Sequence, residues 1–421
     1  MSTETLRILV IGYVWPEPNS SAAGQNMMSL LEGFTAKKHQ VTFMTAATDS
    51  VHKADLNAEQ IDVIPVALNC DSFNQQVRRL TPHVVIFDRY MTEEQFSWRV
   101  KAECPHALRI LNTEDLHSLR QARHNAVKQG KSTFEADLNT ELAQREVAAI
   151  LRSDLTLVIS KAEYRLLVQH YQVPSSQLRY HPLLPAYITR GVPPFQKRKD
   201  LVTIGNFRHA PNWDAVLQLK QLWPTIRRAV PDANLRVYGA YPPKKATQLH
   251  DAKSGFCVEG WAENAHDVIA NARLLISPLR FGAGIKGKLI DAMQCGTPSI
   301  TTPIGAEGII EDVENPASGL IWGGTICHHN NDYPHAVSKL YNDENAWNKA
   351  QIHGFNLLES FVKGAPEQSL TDGIEHLVST IEQHRAPLFL QSMLWHHTLT
   401  ASKYMSQWIA AKNANQTPQT D

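Results

Sequence analysis

Residues 276–308 read ISPLRFGAGIKGKLIDAMQCGTPSITTPIGAEG. The apolar segment Arg273–Ser277 that enters this stretch has strand character, and it breaks at a turn of Gly282, Ala283 and Gly284. A short helix is expected over Ile285–Gln294, carrying Lys286, Lys288 and Asp291. A Cys-Gly-Thr-Pro turn follows, then a second apolar strand over Ser299–Thr302 and a second glycine turn at Gly305–Gly308. Glycine lets backbone N–H groups approach an anion closely, and a helix N-terminus adds positive potential at the same place. Lys286 and Lys288 supplement that potential. Asp291, three residues after Lys288 and seven after Gly284, falls about two helical turns from the opening and can share its face. A carboxylate there accepts hydrogen bonds from a vicinal diol such as a ribose. Phosphate donors followed by a diol acceptor make a nucleotide site.

Around this stretch, βα units repeat. Working back to the start, RILVI at 7–11 is a continuous apolar run ending at Gly12, as a buried parallel strand requires. A loop rich in Pro, Ser and Asn follows, and a helix is expected over Asn26–Phe34. Further strands are predicted at Val41–Thr45, Ile61–Val66, Val84–Phe87, Leu108–Leu111 and Leu155–Ile159, with helical spacing between several of them. Two strand ends carry polar clusters, Asp88-Arg89 and Asn112 through His117. Ligands gather beyond the C-terminal ends of such strands, so both clusters should edge one cleft. His117 either lines that cleft and hydrogen-bonds a ligand hydroxyl or pairs locally with Asp115 or Glu114 at a helix start. The helix with Arg120, Arg123, His124, Lys128 and Lys131 reads first as a solvated face, second as a surface for an anionic acceptor or membrane. A long helix is expected over Glu135–Leu151, and Ser160 with Glu163 spells a capping box.

The charged, Pro-containing segment Ile188–Asp200 reads as an interdomain linker. A second βα series begins at Leu201–Ile204 and runs through Leu235–Tyr238, Phe256–Val258 and Leu274–Ser277 to the opening stretch. Trp261 either frames a nucleobase or packs in the core. Helices are expected over Tyr333–Tyr341, Ala346–Leu358 and Glu367–Gln383, and Leu388–Lys412 is amphipathic but interrupted.

Bulk properties fit this organisation. A chain of 421 residues suits two domains. Lys plus Arg and Asp plus Glu are 41 each, and nothing in that balance suggests a nucleic-acid partner. Cys70, Cys104, Cys257, Cys295 and Cys327 lack CxxC spacing, which argues for a reducing compartment without disulfides or a zinc site. The first residues carry no signal-peptide pattern, and no window approaches the apolar length of a spanning helix. The expected location is cytoplasmic, with peripheral contact at the inner face of a membrane as the second reading.

At Asp291-Ala292-Met293-Gln294-Cys295-Gly296-Thr297-Pro298 the chain resembles the retaining GT-B glycosyltransferases of glycosyltransferase family 4. That family's signature is a Glu, seven residues and a second Glu before Ala-Met-x-x-Gly-x-Pro; Asp291 stands for the second Glu and Ala283 occupies the position of the first. The resemblance covers roughly residues 1–380, most specifically 200–310. It implies an α/β fold of GT-B architecture, two Rossmann-like domains facing across a cleft. The expected division is an N-terminal acceptor-side domain over 1–190 and a nucleotide-sugar-binding domain over 200–365. C-terminal helices over 366–412 should pack back on the first domain, and 413–421 should be a disordered tail.

The implied reaction is transfer of a hexose-type sugar from a nucleoside diphosphate to a hydroxyl acceptor, a glycan or lipid-linked sugar, with retention at the anomeric carbon. Gly24, Arg208, Gly282, Gly284, Lys286, Lys288 and Asp291 are the donor-binding candidates. Glu114, Asp115 and His117 are the catalytic candidates on the acceptor side. No cofactor beyond the donor and no metal is expected, since no DxD motif is apparent. Three alternatives stay open: a nucleotide-sugar epimerase of the same fold, a phosphorylase, and a non-catalytic nucleotide-sugar-binding partner in which Ala283 has replaced the family Glu.

Overall fold

A computed structural model of the chain describes residues 5–185, 191–310 and 320–414, with backbone only for 397–403 and 413–414. The first part of the expected linker and nearly all of the expected tail lie outside the described residues. The first sheet has seven parallel strands: β1 (Arg7–Gly12), β2 (Gln40–Thr45), β3 (Asp62–Pro65), β4 (Val84–Asp88), β5 (Leu108–Asn112), β6 (Leu155–Val158) and β7 (Leu178–Tyr180), in the order β3-β2-β1-β4-β5-β6-β7. Its helices are α1 (Ala22–Thr35), α2 (Ser72–Leu80), α3 (Arg89–Glu103), α4 (His117–Lys128), α5 (Glu141–Arg152) and α6 (Lys161–Gln169). Alternate strand residues point to opposite faces, and here both faces are apolar. Ile8, Val10, Val41, Phe43, Ile86 and Ile110 pack under Met27, Leu31 and Phe34 of α1. Leu9, Ile11, Met44, Val85, Phe87 and Leu111 pack under α2, α3 and α5 through Phe73, Val77, Phe96, Val100 and Ile150. Each such fully buried side chain contributes roughly 1.5–3 kcal/mol.

The second sheet has six parallel strands: β8 (Lys199–Ile204), β9 (Leu235–Tyr238), β10 (Phe256–Gly260), β11 (Ala272–Ser277), β12 (Ser299–Thr301) and β13 (Gly324–Ile326), in the order β10-β9-β8-β11-β12-β13. Around it lie α7 (Ala210–Ala229), α8 (Lys244–Thr247), α9 (Ala265–Asn271), α10 (Gly287–Gln294), α11 (Pro303–Ala306), α12 (Asp332–Asn342) and α13 (Glu344–Lys363). In both sheets the strand order reverses once, between β1 and β4 and between β8 and β11. A reversal opens a crevice at the strands' C-terminal ends, where doubly wound sheets hold ligands.

The chain closes with α14 (Leu370–Ser379), α15 (Ile381–Arg385) and α16 (Phe389–Ala414), which touch the first domain. Thr371 Oγ1 donates to the Gly33 carbonyl at 3.2 Å, and the Arg385 guanidinium bonds both oxygens of Asp154. Among the described residues no helix is long and apolar enough to cross a membrane.

Two sequence expectations are corrected. The helix expected over Glu135–Leu151 is a short 3-10 turn at Thr133–Glu135 and a separate α5, because Ser132 with Glu135 closes one capping box and Thr140 caps a new start. The capping box at Ser160 does not form, since Ser160 makes no cap hydrogen bond and Glu163 reaches elsewhere. At the end of the expected linker Lys197 and Lys199 are exposed, whereas Arg198 is buried and donates to the Thr297 hydroxyl and the Cys295 carbonyl, and Asp200 accepts from Arg236.

Candidate active site

At the β8–β11 crevice the glycine after β8 decides the packing. A Cβ on Gly205 would lie 2.7 Å from Lys288 Nζ and 2.6 Å from Asn212 Nδ2, so both side chains pack directly over the glycine backbone there. Lys288 Nζ donates to Asn212 Oδ1 at 2.7 Å, and burial pulls its pKa down to about 8. One turn further along α10, Asp291 faces His266 Nε2 at 3.3 Å, and this contact raises the pKa of the imidazole. The start of α10 has no side-chain cap, which leaves its first amides without a side-chain acceptor. Arg208 is exposed and lies flat over the Tyr241 ring at 3.6 Å. The Tyr241 hydroxyl donates to Glu17 of the first domain at 2.7 Å. His52 stacks on Trp261 with ring centroids 3.9 Å apart, so Trp261 meets the first domain instead of entering the core.

The glycine turn of the opening stretch is held by the opposite domain. Gly284 has φ +61°, and a Cβ there would sit 2.8 Å from the Asp115 Cβ. Its N–H donates to Glu163 Oε1 at 2.8 Å, and the same oxygen accepts from Leu116 N at 2.9 Å. One carboxyl oxygen therefore joins the two domains. Burial, then the nearby Asp115, pushes Glu163 up to about 8. The Gly282 carbonyl accepts from Arg123 Nη1 at 2.9 Å, and Arg123 forks onto Glu307 with two bonds of 2.7 Å. Burial alone would raise Glu307, but Arg123 and Lys286 outweigh it and hold the carboxylate low. Lys286 is itself buried and folds back onto the Gly284 carbonyl at 2.9 Å. Gly282, Gly284 and Lys286 thus form an interdomain joint, apart from the Lys288–Asp291 group.

Lys128 and Lys131 are exposed as a solvated face requires, but that expectation is overturned for Arg120, Arg123 and His124. Arg123 is buried, Arg120 pairs with Asp115, and His124 stacks on Phe281 with centroids 4.3 Å apart. The interdomain roles of Glu163 and Glu307 were missed because their partners across the joint lie more than a hundred residues away in sequence. No local signal marks such pairs.

The first sheet offers the third group. Glu114 is buried with φ +60° and accepts from Asn26 Nδ2 at 3.2 Å and Asn112 Nδ2 at 2.8 Å. Burial, reinforced by Asp88, pushes it up to about 8. Asp115, despite its burial, is held well below the usual carboxylate range by Arg120 and His117. His117 stands 3.6 Å from Asp115, and burial drives its pKa down to about 3, so it is a neutral imidazole. Its backbone N–H and that of Ser118 are capped by Glu146. Gly24 lies inside the first turn of α1, with its N–H bonded to Ser21 Oγ at 3.0 Å. A Cβ there would strike the Glu17 carbonyl at 2.3 Å, so Gly24 folds the preceding loop against the helix. The start of α1 in turn abuts that of α10, since a Cβ on Gly287 would fall 2.7 Å from the Ala22 Cβ.

Residues 198–343 match the family described as Glycosyl transferases group 1. Comparison with curated proteins gives no match. Solved structures with the same fold include a mutant of S. aureus TarM in complex with fondaparinux, alpha-GlcNAc-glycerol and UDP, at 10% identity and TM-score 0.61, covering 91% of this chain and 100% of that one. Anabaena Alr3699/HepE in complex with UDP and glucose gives 10% identity and TM-score 0.61 over 90% of this chain and 99% of that one. WaaG, a glycosyltransferase involved in lipopolysaccharide biosynthesis, gives 14% identity and TM-score 0.56 over 89% and 99%. The architecture is therefore GT-B, two Rossmann-like parallel sheets, and the segment that matches Glycosyl transferases group 1 carries the second of them.

Proposed function

We propose that this chain is a retaining glycosyltransferase of family 4, moving a sugar from a nucleoside-diphosphate-sugar to a hydroxyl on a glycan or lipid-linked acceptor. The observation that carries this is the β8–β11 crevice. Lys288 crosses Gly205, the start of α10 lacks a side-chain cap, and Asp291 with His266 follows one turn on, within the segment matching the transferase family. The diphosphate would sit at the α10 N-terminus, with Lys288 and Arg208 stabilising charge as the leaving group departs. Asp291 and His266 would take ribose hydroxyls.

The N–H of Gly284 is already donated to Glu163, so the glycine turn serves to dock the donor domain onto the acceptor domain. Glu114, Asp115 and His117 close the opposite wall. Neutral His117 suits a hydrogen bond to a sugar hydroxyl, and Asp115 with Arg120 would hold it in place. Ala283 and the occupied Gly284 amide favour one second reading, a partner that binds nucleotide-sugar without turning it over.

The two are separated by incubating the protein with UDP-, GDP-, ADP- and TDP-sugars and mixed glycan acceptors. Acceptor-dependent release of nucleoside diphosphate, with the donor's anomeric configuration retained in the product by NMR, supports transfer. Binding without release in every mixture supports the partner reading. Conversion of the donor sugar without acceptor would make it an epimerase.

A further inference from the structure

The last helix, α16, is apolar on two sides. Its inner side is fixed to the first domain by buried polar contacts. Gln391 Nε2 donates to the Arg152 carbonyl at 3.2 Å and to Asp154 Oδ1 at 2.9 Å, and Trp395 Nε1 donates to the same carbonyl at 3.0 Å. Further along, Ser406 Oγ accepts from Arg99 Nη2 at 3.1 Å. Trp395 and Ser406 are eleven residues apart, about three helical turns, so one side of the helix stays on the domain over that length. Met393 and Tyr404 keep the same spacing on the other side. With Phe389, Leu390, Met405 and Trp408 they make an outward stripe about 29 Å long, along which Phe389 is 74% and Trp408 60% exposed. Singly exposed apolar residues are ordinary, but six large ones on one side of one helix mark a contact surface.

Charge says what that surface would meet. From Gln383 to Thr420 the sequence has no Asp or Glu, in a chain that has 41 of them in 421 residues, and it includes Lys403 and Lys412. Lys412 Nζ stands 5.3 Å from the centroid of the Trp408 ring, so a cation closes the end of the stripe. A second copy of the chain would bring two acid-free stripes together and offer these lysines no carboxylate. We propose that the outer face of α16 lies on a lipid bilayer with anionic headgroups, its apolar stripe entering the boundary between headgroups and acyl chains and Lys412 meeting a lipid phosphate. Tyr404 and Trp408 are amphipathic rings suited to that depth. The helix is not long and apolar enough to cross a membrane, so it would lie in the plane of the surface. Vesicle binding needs no nucleotide, and the proposal stands or falls apart from the transferase reading.

Cosedimentation of the full chain with vesicles tests it, using phosphatidylcholine alone and phosphatidylcholine mixed with phosphatidylglycerol. The variants are the double substitution Met405→Ser with Trp408→Ser, and Lys412→Gln, all at exposed positions. The wild type should bind the mixed vesicles more tightly than phosphatidylcholine alone. The double variant should lose about tenfold or more in partition coefficient at unchanged Tm, and Lys412→Gln should narrow the preference for the mixed vesicles. No vesicle binding by the wild type, no preference for the mixed vesicles, or equal binding by the double variant would each overturn the proposal. Sedimentation velocity without lipid should show a monomer; a dimer that the double variant dissolves would assign the stripe to a second copy and overturn it as well.

Discussion

Glu163→Gln should abolish a pH dependence built into the joint between the domains. The wild-type carboxyl, ordinarily titrating at 4.5, is pushed up to about 8 by burial and Asp115. Between those values the folded chain holds a proton that the unfolded chain has released. Stability from this group is therefore whole below 4.5 and drains away as pH rises to about 8. The span from 4.5 to about 8, at about 1.4 kcal/mol per pH unit, is on the order of 5 kcal/mol. Glutamine keeps an oxygen for Gly284 N and Leu116 N and has no proton to lose. Scanning calorimetry of both proteins between about pH 5 and 9 should give curves that meet at the acid end and separate by about 5 °C at the alkaline end, the glutamine variant higher. Glu114 and Glu146, also raised, titrate in both proteins and cancel in the difference. Curves that stay parallel throughout would show that Glu163 is ionised in the folded chain and that the joint has no such proton.

Three further outcomes follow from the geometry. In a double-mutant cycle, Arg123→Ala and Glu307→Gln should couple by about 2–3 kcal/mol, below the usual range for a fully buried pair because Glu307 keeps 23% side-chain exposure; purely additive losses in urea unfolding would remove the latch. Gly284→Ala combines φ +61° with a 2.8 Å approach to Asp115, so it should open the domains and raise the radius of gyration in solution scattering, whereas an unchanged scattering profile would place the joint elsewhere. With its pKa near 3, His117 stays neutral through the physiological range, so His117→Gln should lower kcat without moving either limb of the pH–rate profile; a limb near pH 6 to 7 that vanishes in the variant would make the imidazole a titrating base.

Much of the fold was legible because both sheets are parallel and buried on both sides, so their strands stand out as unbroken apolar runs such as RILVI at 7–11. The glycine turn and the Lys288–Asp291 spacing were equally local, and the structure sets them at a strand-order reversal. What stayed hidden depends on the partner domain. The α4 charges looked solvated because nothing near them in sequence shows that Glu307 and the Gly282 carbonyl lie opposite Arg123. Glu163 fitted a local capping rule and instead spans the domains. Lys286 and Lys288 are two residues apart and looked equivalent, yet one folds back into the joint and the other faces Asn212. Two residues on a helix start separate by more than half a turn, so only the direction of α10 relative to the first domain decides which lysine faces the crevice.

The most direct test of the donor site is thermal unfolding against UDP, GDP, ADP and TDP, for wild type, Lys288→Ala and Asp291→Ala. A ligand at about a hundred times its dissociation constant adds roughly 2.7 kcal/mol. One nucleoside diphosphate should stabilise the wild type by that order and neither variant, which would place the donor at the start of α10 and name its base. If none of the four shifts the wild type, or if the shift survives in both variants, the β8–β11 crevice does not hold a nucleotide.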